Sequence, residues 1–339
     1  MPASKLLTEK LAPKLVVEEQ VALLDQGKIP LPAAWASRAL YLSEAGAQNW
    51  LNVVGESTYP LRDANYFNLR ANRLEAIQEQ RPMTFVSLGP GDGLHDVDLI
   101  TSLQEFSTRA FEKGERKPTL KYIPVEISRV LLELTIRNVQ AHVEVQVGVL
   151  CDFEDGQEFL ANTLAQFAQP PILFSLLGGT VGNLDGGEDP FFAGFRGLMK
   201  AGDAFLLDLP LAGPGWSAAE EPRLRPAGYT NAFRRFLGAT VAQQNPADTR
   251  DFQVRVEEVA AAFAERIQLS HRHDSQTGAE IITVKNRRSQ RTVLTFRRYC
   301  WASMLRWLQD RGFTVAFAKC SISANQDKFG MGVVLLTIA

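Results

Sequence analysis

Three short runs in this 339-residue chain combine residue types that binding chemistry could use: Gly89-Pro90-Gly91-Asp92-Gly93, Glu126-Ile127 and Cys151-Asp152-Phe153. Each closely follows an apolar stretch. The glycines permit a tight turn and a close approach of backbone to a ligand. A GxGxG loop of this kind can open a dinucleotide site, but an acidic residue is then expected about 20 residues further on to hold a ribose. Asp96, Asp98 and Glu105 lie in a helical pattern that cannot present them to a ribose, and the next strand pattern ends only at Glu126. S-adenosylmethionine, which has no pyrophosphate, matches the runs better. The glycine loop suits its methionine part. The Glu126 carboxylate, an acceptor with several lone pairs, suits the two ribose hydroxyls. Asp152 and the ring of Phe153 suit the polar edge and the face of adenine. Pro90, Asp92, Ile127 and Cys151 complete the expected cofactor contacts, Cys151 as a small apolar neighbour and not as a nucleophile, since no histidine lies beside it in sequence.

A scaffold must bring these runs together. Strand patterns occur at residues 84–88, 122–125, 143–149, 172–177 and 204–209, with helical patterns at 95–113, 127–141, 158–168 and 190–199. Such alternation predicts an α/β, doubly wound domain with a mainly parallel sheet. Ligands of such sheets sit beyond the carboxyl ends of the strands. The three runs, and the sequence 178–183 ending in Asn183, all fall there. Residues 11–25 read as an amphipathic helix, and an aromatic-rich helical region follows Pro32. After Pro210 the rhythm breaks. A helix is predicted at 229–243, then strands at 252–258, 266–271, 281–285 and 291–296, as an α+β insert with an antiparallel sheet. A helix at 301–310 and strands at 314–321 and 332–339 return the chain to the first sheet, the last strand antiparallel.

The motifs Tyr122-Ile123-Pro124-Val125-Glu126, Cys151-Asp152-Phe153-Glu154 and Gly179-Thr180-Val181-Gly182-Asn183-Leu184 resemble those of the histidine-specific S-adenosylmethionine-dependent methyltransferase family, the ergothioneine-type histidine N-α-methyltransferases. Upstream, Leu31-Pro32-Ala33-Ala34-Trp35, Tyr41 and Tyr66-Phe67-Asn68-Leu69-Arg70 are similar to further stretches of that family. The resemblance runs over residues 30 to 210 or so. It implies a Rossmann-like class I methyltransferase domain (65–210 and 297–339) and a second α+β domain covering the substrate (1–64 and 211–296). By residue it implies Gly89, Gly91, Gly93, Glu126, Asp152 and Phe153 at the cofactor, and His95 near the cofactor carboxylate. Asn183, Tyr41 and Tyr66 are implied as the catalytic, acceptor-enclosing set, with Phe67 beside them. Glu126 stands where the family has Asp. Leu294 and Phe296 fall where histidine-selective members grip an imidazole. Arg223 falls where the family has a tyrosine for the substrate carboxylate. An apolar pair leaves imidazole nitrogens unpaired, at a cost of about 1–3 kcal/mol. The expected acceptor is therefore the amine of a small amino acid or amino-acid-derived metabolite other than histidine. A hydroxyl, carbon or ring nitrogen acceptor, or a binding module without transfer activity, is the alternative.

Composition narrows the classes further. Thirty-six basic and 38 acidic side chains give a net charge of −2, which argues against a dedicated nucleic-acid binder. Arg287, Arg288, Arg291, Arg297 and Arg298 read as a solvated face. His271, His273 and Asp274 read as a strand edge, so no metal is expected. Three cysteines without a CxxC spacing suggest neither a disulfide framework nor a zinc site. With no signal-like segment and no apolar run of about 18 residues, a cytoplasmic protein with a small-molecule partner and no membrane partner is expected. The sequence leaves monomer or dimer open.

Overall fold

A computed structural model describes residues 13–56, 64–110, 119–219, 221, 224–244, 248, 250–322 and 329–339, and for 64–67 and 109–110 the backbone alone. The first described elements are a strand, β1 (Leu15–Val17), and the helices α1 (Glu19–Asp25), α2 (Ala39–Leu42), α3 (Glu44–Gly55) and α4 (Ala64–Ile77). An alternating series follows: β2 (Thr84–Leu88), α5 (Leu94–Ala110), β3 (Lys121–Glu126), α6 (Arg129–Val139), β4 (Glu144–Val145), β5 (Gly148–Leu150), α7 (Gln157–Phe167), β6 (Ile172–Leu176), α8 (Glu188–Leu198) and β7 (Ala204–Ala212). The insert holds α9 (Asn231–Gln243), α10 (Phe252–Ala261), α11 (Phe263–Arg266), β8 (Ile267–Asp274), β9 (Ala279–Asn286) and β10 (Thr292–Tyr299). The chain closes with α12 (Trp301–Asp310), β11 (Thr314–Cys320) and β12 (Phe329–Thr337).

The strands among the described residues form one twelve-stranded sheet, ordered β1-β5-β3-β2-β6-β7-β10-β9-β8, with β12 pairing β7 and β11, and β4 pairing β3. Strands β2, β3, β5, β6 and β7 are parallel, and β12 runs antiparallel along β7 from Phe329↔Ala212 to Thr337↔Ala204. This is the α/β architecture with a parallel-dominated sheet that the sequence predicts. Alternate residues of each strand serve opposite faces. Val86, Phe174, Phe205 and Leu207 pack with Phe191, Phe192 and Phe195 of α8, while Phe85, Tyr122, Leu173 and Leu206 pack with α4 and α5.

Several expectations are corrected. The predicted helix at 11–25 is in fact β1 followed by α1; Leu15-Val16-Val17 pairs with Gly148, Val149 and Leu150 at the sheet edge. The predicted strand 143–149 is interrupted between β4 and β5, where the Gln146 amide donates to the Tyr122 carbonyl. The predicted strand 252–258 is the helix α10, started by Asp251, whose carboxylate accepts from the Val254 amide at 3.1 Å. The strands of the insert do not form a separate sheet. Tyr299 of β10 pairs with Leu211 of β7, beyond the point where β6 ends opposite Leu207. Since β12 occupies the other edge of β7, β10 takes the place that β6 vacates. It thereby lies over the tip of β6 and the turn that follows it.

Candidate functional site

The glycine loop after β2 has a conformation that other residues rarely adopt: φ is +60° at Gly89, +65° at Gly91 and +75° at Gly93. Space reinforces this. A Cβ on Gly93 would stand 3.0 Å from Thr135 Cγ2 and 3.1 Å from its Cα, so this glycine lets α5 and α6 approach. A Cβ on Gly89 would meet the Phe153 ring at 3.4 Å. The Gly91 carbonyl accepts from Thr135 Oγ1 at 2.9 Å, the Asp92 carbonyl from Asn138 Nδ2 at 2.8 Å, and Asp92 Oδ1 from the Leu94 amide at 3.1 Å. The loop is thus held from α6 and starts α5.

Two cavities flank this loop, of ≈240 Å³ and ≈80 Å³, and Tyr41, Trp50, Gly89, Gly91, Thr180 and Asn183 line both. They are two lobes of one cleft at the carboxyl ends of the parallel strands. Glu126, Ile127, Asp152, Phe153 and Arg38 add to the smaller lobe. Glu126 is buried and its Oε1 accepts from the Ile127 and Ser128 amides at 2.9 and 3.2 Å. Burial still pushes its carboxyl up to about 7. Burial likewise pushes Asp152 up to about 6 and Glu154 up to about 8, against the opposing pull of the Arg38 guanidinium.

The larger lobe adds Pro90, Asp92, His95 and Asp96. Burial and the nearby Arg73 guanidinium hold the His95 imidazole below its ordinary range, so it is neutral near pH 7. Asp96 accepts from the Tyr122 hydroxyl at 2.5 Å, and burial raises it to about 6. The Gly178 amide donates to Asp208 at 2.8 Å, and Asp208 is itself paired with the buried Arg73.

The wall between the lobes is aromatic and carries one orphaned polar atom. Tyr41 and Trp50 meet edge to face with centroids 5.5 Å apart, and Phe236 of α9 lies 5.3 Å from Tyr41. Asn183 closes the 3-10 turn Thr180–Asn183 that follows Gly178 and Gly179, both at positive φ. Its side-chain Oδ1 is buried without a hydrogen-bond partner among the described residues. Such an atom costs about 1–3 kcal/mol unless a ligand or water satisfies it. The turn is clamped from β10: the Tyr299 hydroxyl lies 3.1 Å from the Val181 carbonyl and 2.6 Å from Glu188 Oε1, and Arg297 Nη1 donates to the Leu184 carbonyl at 2.7 Å.

The cleft therefore gathers Gly89, Pro90, Gly91, Asp92, His95, Glu126, Ile127, Asp152, Phe153, Asn183 and Tyr41 of the sequence-predicted set. Gly93 and Cys151 line neither lobe. Gly93 serves the α5–α6 contact, and Cys151 sits in the core with its thiol raised well above the ordinary range by burial and the adjacent Glu18. Leu294 and Phe296 also line neither lobe. Leu294 packs in the cluster that backs Tyr41 and Trp50, and Phe296 lies under the Arg298 guanidinium at 5.1 Å. The apolar pair expected against an imidazole is therefore not found in these lobes. The side chains of Tyr66 and Phe67, and all of Arg223, lie outside the described residues. Sequence reasoning missed Arg38, Trp50 and Asp185. His271 and His273 both face Glu280, at 2.6 and 2.9 Å. Among the described residues no group of three or more His, Cys, Asp or Glu could hold a metal, and no helix is long and apolar enough to cross a membrane.

A family model described as histidine-specific methyltransferase, SAM-dependent, matches residues 24–213. Among curated proteins no relative matches the chain. Among solved structures it is similar to the 1,6-didemethyltoxoflavin-N1-methyltransferase of Burkholderia thailandensis, at 11% identity, with 91% of this chain and 93% of that chain covered and a TM-score of 0.41. It is also similar to an S-adenosylmethionine-dependent methyltransferase from Clostridium acetobutylicum, at 10% identity, 86% and 98% coverage and a TM-score of 0.39. A glycopeptide N-methyltransferase is 12% identical, with 87% and 98% coverage and a TM-score of 0.39.

Proposed function

The chain belongs to the histidine-specific, S-adenosylmethionine-dependent methyltransferase family, and from this premise we propose that it transfers the methyl group to the amine of a small amino acid or amino-acid-derived metabolite held at Asn183. The observation that carries the reading is the buried Asn183 Oδ1, which has no hydrogen-bond partner among the described residues and belongs to a residue that lines both lobes of the cleft. The residues present fit the cofactor. The smaller lobe offers the Glu126 carboxylate for the ribose hydroxyls, Asp152 for the adenine amine and Phe153 for the purine face. Gly89, at φ +60°, lets the loop backbone pass beside the Phe153 ring. His95, neutral and at the larger lobe, suits hydrogen bonding to the methionine carboxylate.

The bound cofactor supplies an electrophilic methyl on a sulfonium; the acceptor must supply a lone pair in line with it. An ammonium has none. Tyr41 and Trp50 displace water from the wall between the lobes, and this desolvation disfavours the charged amine. Asn183 Oδ1 accepts a hydrogen bond from one N–H of the neutral amine and so fixes where its lone pair points. No residue needs to form a covalent bond, and the high thiol of Cys151 takes no part.

Asn183→Ala tests the assignment. With a panel of amino acids, histidine included, as acceptors, kcat/KM should fall about 10- to 100-fold, the equivalent of about 1–3 kcal/mol. Binding of S-adenosylhomocysteine by calorimetry should stay near the wild-type value. An unchanged kcat/KM would remove Asn183 from the acceptor site.

A further inference from the structure

The smaller lobe contains a cation that neither the sequence motifs nor the proposed reaction uses. Arg38 is 7% exposed and stacks on Trp35 at 4.8 Å. Its Nη1 lies 2.5 Å from Asp152 Oδ2 and 2.5 Å from Asp155 Oδ2, and its Nε lies 3.2 Å from Asp185 Oδ2 and 3.7 Å from Glu154 Oε1. The amides of Ala36, Ser37 and Arg38 converge on the same Asp185 carboxylate at 2.8, 2.8 and 3.2 Å. One guanidinium thus ties the segment before α2, which carries Tyr41 a turn later, to the loop after β5 and the turn after β6.

We propose that Arg38 is a positioning residue for the cofactor: it orients the Asp152 carboxylate and keeps it ionised to receive the adenine amine, while fastening the Tyr41 segment over the cleft. This rests on the adenosine placement proposed above. Asp152 Oδ1 accepts from the Glu154 amide at 3.0 Å and Oδ2 from Arg38 at 2.5 Å. A carboxylate has about four lone-pair sites, so capacity remains for a further donor. The fork of a guanidinium can hold several carboxylates at once, which an ammonium on a flexible stem does less well.

The surrounding charge makes the need for Arg38 specific. Facing Asp152 and Arg38 are Glu154 and Asp155 from the same loop, Asp185 from the turn after β6, and Glu18, which accepts from the Asp152 amide at 2.9 Å; Glu126 lies across the lobe. Burial already raises Asp152 to about 6, and Arg38 is its main opposing influence. Without that cation, Asp152 protonates at a higher pH. Its charge, which makes it the stronger acceptor for the adenine amine, is then lost as pH falls through neutrality, where the wild-type protein keeps it.

Calorimetric titration with S-adenosylhomocysteine between roughly pH 6 and pH 9 compares wild type with Arg38→Met, Arg38→Lys and Asp152→Ala, with unfolding midpoints to check folding. For a rise of about one pKa unit at Asp152, Arg38→Met should bind about twofold more weakly near pH 7 and about fivefold more weakly near pH 6, and match wild type at the alkaline end. Arg38→Lys should lie between the two. If Arg38→Met, or Arg38→Lys should the former not fold, gives a profile parallel to wild type while Asp152→Ala is weakened, the positioning role is wrong and the adenine placement stands. If Asp152→Ala, which removes both acceptor oxygens, binds like wild type at every pH, the adenine placement itself is wrong.

Discussion

Asp96, Glu126, Asp152 and Glu154 are buried around the cleft and hold their protons to about 6, 7, 6 and 8, with desolvation the leading cause for each. In the unfolded chain all four would release them near pH 4. Between these limits the folded state binds more protons than the unfolded state, so its stability falls as pH rises. The contribution is fully present below the unfolded values and is lost as pH passes the folded ones. The cofactor-free protein should therefore unfold several degrees lower at about pH 8 than at about pH 5.5, given that about 1 kcal/mol moves a larger domain by about 2–4 °C. Thermal unfolding followed by circular dichroism checks this; a midpoint that stays level or rises over that interval contradicts it. Glu126 and Asp152 were readable in sequence because strand tips mark ligand sites. Arg38 was not, because its partners stand 114 and 147 residues away and a lone arginine in a helical stretch carries no local signal.

Among the elements, β10 is the one whose position decides most. By continuing the line of β6 beside β7 it brings Tyr299 and Arg297 onto the carbonyls of Val181 and Leu184, which bracket Asn183. Gly182 makes the fit close: a Cβ there would lie 2.8 Å from the Arg297 carbonyl oxygen. Tyr299→Phe removes a hydrogen bond to the Glu188 carboxylate and should cost about 1.5–3 kcal/mol of stability. It should also lower kcat/KM for the acceptor more than the affinity for S-adenosylhomocysteine, as steady-state kinetics beside calorimetry would show; equal losses in both would mean that the turn is not what β10 supports. The central elements were legible because their patterns agree with their burial: β2 and α12 have the predicted bounds, and β12 is antiparallel as expected. The misread ones are those whose state depends on a partner. β1 has three residues and becomes a strand only because β5 offers an edge. α10 covers the strand predicted at 252–258, yet Val256 and Val259 pack it against α9 as a helix.

At the scale of the whole molecule, the continuous sheet makes the cleft. Its parallel half supplies the glycine loop, Glu126 and Asp152, while the N-terminal helices and α9 place Tyr41, Trp50 and Phe236 above them. A near-balanced charge of −2 accords with an acceptor recognised by a few placed groups in place of a broad field. Leu294 and Phe296 could be assigned to the cleft only through a distant alignment; Leu294 packs in the core behind Tyr41 and Trp50, and Phe296 lies under the Arg298 guanidinium. The atom that receives the methyl group distinguishes an amine acceptor from every other. Wild-type protein incubated with S-adenosylmethionine carrying a carbon-13 methyl, together with the amino-acid panel, should yield a product whose labelled carbon is bonded to the α-amine nitrogen by nuclear magnetic resonance. A labelled methyl found on oxygen, carbon or a ring nitrogen would contradict it.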